Sequence, residues 1–271
     1  MKRFSARLFM VVCMWAFVWS AYGQQAAAGR VSGKAEILRQ ARSSYYSLSD
    51  EGMKGFECDL VPDWVALLAK ERQANPEGFD FAVRKLNQLH FHAVFGPDGK
   101  VVLTHNDLPG ETQEMNTALK QIYGGMEQMT SGFFDTWKLF VVSSPFPEVN
   151  SDYQLQSQGQ NYLLTYKEDN ADVATTMAQD FAIKDLKVTS SQFDSRIWPT
   201  FTRVGSRFLI NSYQATYVSG KADERTELQV LIGYQEVQGL QLIESLNLSG
   251  SYGGAPFKIL VRFSGCTAQK R

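Results

Sequence analysis

The sequence predicts an α+β fold in which helices come first and a large, strongly curved antiparallel sheet follows. In the segments 34–49, 79–89 and 115–140, apolar residues recur every three or four positions, which is the spacing of one helix face. From about Tyr153 onwards they alternate with polar or smaller residues, which is the spacing of strands. No linker or change of composition separates the halves, which favours a single α+β domain over residues 33–271.

The chain before that domain predicts export. A basic start precedes an unbroken apolar run from Leu8 to Trp19, and Ala21-Tyr22-Gly23 offers small residues for cleavage. This pattern is typical of a secretory signal peptide, here over residues 1–23, and the run is shorter than the roughly 20 residues that span a bilayer. We therefore expect a flexible leader over residues 24–32 and an exported mature protein, periplasmic or secreted, without a transmembrane anchor.

Three helical segments and one hairpin are predicted next. An amphipathic helix is expected over 34–49 and is followed by a short strand that ends at Leu60. Asp63 is a candidate N-cap for a helix that continues to Arg72, and Asn75-Pro76 is typical of a new helix start. Beyond it, residues 90–105 predict a hairpin that turns at 96–99.

The most regular apolar stripe runs from Met115 to Phe140 and predicts a helix of some 26 residues. Gly124, Gly125 and Gly132 interrupt it, and each costs about 1 kcal/mol of helix propensity relative to Ala. A helix with that cost needs a surface to lie against. Six stripe residues are therefore candidate ligand-binding residues for a hydrophobic cavity: Met115, Ile122, Met126, Met129, Phe133 and Trp137. The alternative is that the stripe is ordinary core.

Strands with turns between them fill the rest of the chain. Alternation is clear at 162–166, 228–234 and 257–263, and turns are expected at Ser219-Gly220, Gln238-Gly239 and 250–254. After removal of the signal, Cys58 in the first strand and Cys266 at the end of the last strand remain. A lone pair in an exported protein predicts a disulfide, which would contribute on the order of 4 kcal/mol, whereas the alternative is two separate buried thiols.

The layout resembles the periplasmic lipoprotein-carrier superfamily, whose members share a half-open β-barrel with a helical lid. The resemblance lies in the order of signal, amphipathic helix, first strand, lid-type helices and long meandering strands. Residues 234–242, which read YQEVQGLQL, look like the late hairpin of that family. The resemblance implies a half-open barrel covered by the N-terminal and central helices, and it implies binding of a hydrophobic molecule or a lipidated protein. No single functional residue can be aligned by motif.

Motifs for other chemistry are weak. His90, His92 and His105 lie on the predicted hairpin and are weak candidates for zinc or copper binding. A four-residue loop would bring all three to one face, whereas a type I turn with Gly99 in a bulge would send His105 to the other face. Glu57 and Asp59 share a strand face and form either an acid–base pair or a solvated outer surface.

These observations favour an exported, carrier-like protein that binds a hydrophobic small molecule, a lipid or a lipidated protein. The alternative is an exported interaction or structural protein whose core is fully packed and holds no ligand. An enzyme is the least favoured class, because no nucleophile–base pair or metal constellation is readable in the sequence. No cofactor is expected. A net charge of −1 without a run of Lys and Arg argues against nucleic acid as a partner.

Overall fold

The computed structural model describes residues 33–168, 170–219, 225–252 and 254–271. The predicted signal peptide at 1–23 and leader at 24–32 lie outside the described residues, as does part of the expected turn at Ser219-Gly220. Within the described helices, none is long and apolar enough to cross a membrane.

Five helices lie in the described part of the chain, all of them before residue 142. Helix α1 covers residues 33–43. The other helices are α2 (Trp64–Leu67), α3 (Ala69–Ala74), α4 (Pro76–Leu86) and α5 (Gln113–Val141). The predicted caps are confirmed, because Asp63 Oδ1 accepts from the backbone N–H of Ala66 at 2.9 Å and Asn75 Oδ1 accepts from that of Gly78 at 3.0 Å.

Twelve strands of the described residues form one antiparallel sheet that does not close on itself. Three strands precede α5: β1 (Met53–Pro62), β2 (Phe91–Phe95) and β3 (Val101–His105). The nine that follow it are β4 (Tyr153–Gln158), β5 (Asn161–Glu168), β6 (Ala171–Ala178), β7 (Ile183–Thr189), β8 (Phe193–Val204), β9 (Arg207–Ser219), β10 (Arg225–Val237), β11 (Leu240–Tyr252) and β12 (Ala255–Lys270).

The strands form a meander with one long-range junction. Strands β4 to β12 pair in sequence order, and β12 then pairs with β1, which continues into β2 and β3. The edges of the sheet are therefore β3 and β4. The predicted disulfide is confirmed at this junction, where Cys58 on β1 and Cys266 on β12 are bonded and their Cα atoms are 4.2 Å apart. It links the first strand of the described chain to the last, and these two strands are neighbours in the sheet.

Helix α1 ends earlier than its apolar spacing predicts. The spacing continued to Ser49, but the helix ends at residue 43. The cause is pairing with β9, since the backbone N–H of Tyr46 donates to the carbonyl of Phe208 at 2.8 Å and that of Phe208 donates to the carbonyl of Ser44 at 2.7 Å. The apolar spacing still marks the core, because Tyr45 and Leu48 are almost fully buried beyond the helix end.

Three other boundaries differ from the prediction. The helix expected from Trp64 to Arg72 is interrupted at Leu68 and divides into α2 and α3. Strand β11 continues through Gly250, which pairs with Leu228 and Phe257, so this glycine lies in the sheet and not in a turn. Cys266 does not end the last strand, because β12 stays paired with β1 as far as Lys270.

The inner face of the sheet packs against α5, and one apolar cluster extends from α1 to β12. Side chains of α5 reach strands from both halves of the chain. Phe134 packs against Phe56 of β1 and Phe263 of β12, whereas Phe140 packs against Phe201 of β8. Helix α5 therefore lies over the middle of the inner face, and any cavity of the core has to lie beside it.

Candidate functional site

An open apolar groove of about 550 Å³ lies between α5 and the inner faces of strands β9 to β12. Its volume falls within the range of small-molecule sites in proteins, roughly 300 to 1,000 Å³. Asp135, at one end, is the one formally charged side chain among the described residues that line the groove. The groove is thus a mainly apolar surface that water can reach.

Glycines keep the helix side of the groove open. Gly125 and Gly132 line it and are seven residues apart, so they lie on the same side of α5 two turns from each other. A Cβ atom added at either glycine would meet no other atom within 4 Å. The sequence predicts that a helix weakened by these glycines needs a surface to lie against, and α5 does pack on the sheet through its large side chains. The glycines themselves border open space.

The sheet side of the groove exposes inward-facing apolar residues. Leu228, Phe257 and Ile259 point towards α5 in the alternation of their strands, yet all three are only half-buried. Leu248, which pairs with Ile259, is buried and forms the floor between them. In a fully packed core these side chains would meet partners, because protein interiors are close-packed. The partial exposure of Leu228, Phe257 and Ile259 therefore indicates that the interior is incompletely filled beside α5.

The six residues predicted from the sequence as ligand-binding candidates lie in different parts of the structure. Met129 and Phe133 line the groove. Met126 and Trp137 are core residues with 5% and no exposed surface, respectively. The remaining two, Met115 and Ile122, are partly buried and pack against the edge of the core away from the groove lining. Thus the structure brings two of the six to the groove.

The structure also separates the three histidines. Phe95 pairs with Val101, and the N–H of Gly96 donates to the carbonyl of Lys100 at 2.9 Å, which is the register of the bulged turn. His105 therefore lies opposite Phe91 on the inner face, where its ring stacks on Tyr123 at 4.0 Å between centroids. His92 lies on the outer face, and His90 is exposed before β2 begins.

On the outer face, His92 lies between the two carboxylates of β1. Its Nδ1 is 2.8 Å from Asp59 Oδ1, and its Nε2 is 3.5 Å from Glu57 Oε2. The hydrogen bond to Asp59, aided by Glu57, raises the pKa of His92 above its ordinary value. In the described part of the chain, no group of three or more His, Cys, Asp or Glu side chains is arranged to hold a metal ion.

The sheet half of the groove and its polar border were not predicted from the sequence. Thr136 and Tyr217 sit at one end of the groove, where Thr136 Oγ1 and Tyr217 Oη form a hydrogen bond of 3.1 Å. Burial raises the pKa of the Tyr217 phenol, so the phenol stays protonated at neutral pH. The alternation of apolar and polar residues predicts which side chains of the groove strands point inward. Which of those inward side chains lack a packing partner depends on how the strands pair.

Comparison of the chain with protein-family models, with curated proteins and with solved structures finds no significant match. The groove and its surroundings are therefore the basis for a functional assignment.

Proposed function

We propose that this protein is an exported binding protein that holds a hydrophobic ligand, or the lipid part of a modified partner, in the groove beside α5. The observation that supports it most is the half-exposed row of inward-facing apolar side chains at Leu228, Phe257 and Ile259, opposite Gly125 and Gly132. Exposed apolar surface in a concave site is stabilised when a ligand covers it, at about 25 cal/mol per Å² removed from water. The proposal includes no catalytic step.

The carrier-like form of this proposal treats the sheet as a half-open barrel and α5 as its lid. Trp137 and Phe140 are three residues apart on α5, yet Trp137 packs against Phe56 of β1 and Phe140 against Phe201 of β8. In the strand order β1 and β8 are five steps apart, which is about 24 Å in a flat sheet. Side chains from one helix turn reach both strands most readily if the sheet curves around α5.

Export is the other part of the proposal. It rests on the basic start, the apolar run from Leu8 to Trp19 and the small residues that follow, which are typical of a secretory signal. The bond between Cys58 and Cys266 agrees with it, since disulfides persist mainly in oxidising compartments. A carrier of hydrophobic molecules would meet its ligand after export in the periplasm or outside the cell.

Binding of a fatty acid with an environment-sensitive fluorophore tests the proposal. The folded protein should bind it saturably, and Gly132→Leu should lower the amount bound at saturation, because the new side chain projects into the groove. Gly124→Leu is the matched control. Gly124 is on the same helix, and an added Cβ there also meets no neighbour within 4 Å, but this residue does not line the groove.

Both substitutions change helix propensity alike, so a difference between them reports on the groove. Circular dichroism and thermal unfolding should show that both variants stay folded. Absence of saturable binding by the folded wild-type protein, repeated with a phospholipid and an acylated peptide, would refute the proposal. If Gly132→Leu and Gly124→Leu changed the amount of bound ligand equally, the ligand would bind at a site other than the groove.

A further inference from the structure

A second apolar cavity lies beside the groove, on the other side of strand β9. Its volume is about 300 Å³, and it is bordered by the end of α5, the loop over 143–147 and strands β5 to β9. Val173 and Ile197 are among its sheet residues, and Leu139 and Phe146 cover it from the helix and the loop. The inner face thus carries two neighbouring apolar spaces.

One hydrogen-bonded pair separates the two spaces. Thr136 and Tyr217 line both of them, and their hydroxyl oxygens are 3.1 Å apart. The strand register agrees with this division, because Tyr217 pairs with Ser195 of β8, which lines the cavity, and with Thr226 of β10, which lines the groove. A single side-chain contact, the hydrogen bond between Thr136 and Tyr217, therefore separates the groove from the cavity.

A polar pair lies where the two spaces meet. Asp135 is exposed and lines both, and Lys138 Nζ is 2.6 Å from its Oδ1. The side chains of Asp135 and Lys138 are 63% and 33% exposed, so both charges remain accessible to water and to a polar group placed beside them. The arrangement is one polar pair shared by two mainly apolar arms, and the cavity arm also has the exposed carboxylate of Glu168 in its lining.

We infer that the groove and the cavity are the two arms of one site, and that its ligand is an amphiphile with two hydrocarbon chains whose polar headgroup lies at the Asp135–Lys138 pair. The inference rests on the proposed function and names its ligand class. Two chains joined at one headgroup bind better than separate chains, because the second chain enters its arm at a high effective concentration.

The test compares a lysophosphatidylcholine with a phosphatidylcholine of the same chain length, each below its critical micelle concentration, by native mass spectrometry and titration. The wild-type protein should hold two molecules of the single-chain lipid but one of the two-chain lipid. The two-chain lipid should bind at least tenfold more tightly. Substitutions then fill each arm separately: Gly132→Leu fills the groove, and Ala171→Leu fills the cavity, where Ala171 is a half-buried lining residue.

Each filled variant should hold one single-chain lipid and lose at least tenfold in affinity for the two-chain lipid. Val188→Phe, at a second cavity position, replaces Ala171→Leu if that variant does not fold. One single-chain lipid in the wild type, removed by Gly132→Leu and unaffected by cavity variants, would overturn the two-arm site and leave the proposed function standing. Absence of binding by both lipids would overturn the two-arm site, and the proposed function would fall with it only if a fatty acid and an acylated peptide also failed to bind.

Discussion

The indole nitrogen of Trp137 donates a hydrogen bond to the phenolic oxygen of Tyr234, 3.0 Å away, and this bond joins α5 to strand β10 in the interior of the protein. The phenol in turn donates to the backbone carbonyl of Ile210 on β9 at 2.7 Å. Burial raises the pKa of the Tyr234 phenol well above its ordinary value, so the hydroxyl remains a donor. The helix is thereby fixed to two strands beside the groove.

Tyr234→Phe removes the hydroxyl that accepts from the Trp137 N–H and donates to the Ile210 carbonyl. The shape of the side chain changes little. Because Trp137 has no exposed surface, its N–H would be left buried without a partner. We expect a loss of about 1 to 3 kcal/mol in the free energy of unfolding, measured by urea denaturation. A free energy equal to that of the wild type would contradict this role of the bond.

Phe134→Ala tests the packing of α5 against the sheet. The ring is 1% exposed and contacts the rings of Phe56, Phe95 and Phe263 on three strands. Its loss should cost about 3 to 5 kcal/mol in unfolding free energy. Phe81→Ala on α4 is the matched control, because Phe81 is 43% exposed, and the change there should stay within about 0.5 kcal/mol. Similar losses in the two variants would argue against this packing.

Reduction of the bond between Cys58 and Cys266 should lower stability by about 4 kcal/mol, because the unfolded chain regains the freedom that a 208-residue separation had lost. Denaturant midpoints with and without a reductant measure the effect. The variant with both cysteines replaced by alanine should not respond to the reductant. Two thiols that react with an alkylating agent in the unreduced, folded protein would contradict the disulfide.

The pKa of His92 should lie above the ordinary value of about 6.5 and fall in Asp59→Asn, as followed by NMR titration of the imidazole. A raised folded-state pKa means that the pair stabilises the protein below the unfolded pKa. The contribution is then lost as pH rises through the folded-state value. It should be small, since the His92 side chain is 41% exposed. An unchanged pKa in Asp59→Asn would refute the interaction.

Much of the fold could be predicted because its signals are local. The long helix, the caps at Asp63 and Asn75 and the late hairpin turn each depend on spacing or on the chemistry of a few neighbouring residues. The structure confirms the turn, where Gln238 and Gly239 both have positive φ. The end of α1 could not be predicted, because it depends on pairing with Phe208, which lies far along the chain.

The candidate site was only partly predictable for a related reason. A helical stripe identifies which side of α5 faces the core, but it does not separate Met129, which lines the groove, from Met126, which is enclosed. That distinction depends on which strand lies opposite each residue. The glycines of α5 are visible in the sequence, but the sequence does not show that Gly132 faces open space.

The most direct test of a ligand in the groove is an NMR titration of the protein with ¹³C-labelled methionine methyl groups, using a fatty acid as the ligand. Met129 lines the groove, whereas Met126 and Met177 are 5% and 0% exposed and serve as internal references. If the groove binds the ligand, the Met129 methyl signal should show a saturable shift that clearly exceeds those of the two buried methionines. No saturable shift at Met129 with a fatty acid, a phospholipid or an acylated peptide, in a well-folded sample, would contradict binding in the groove.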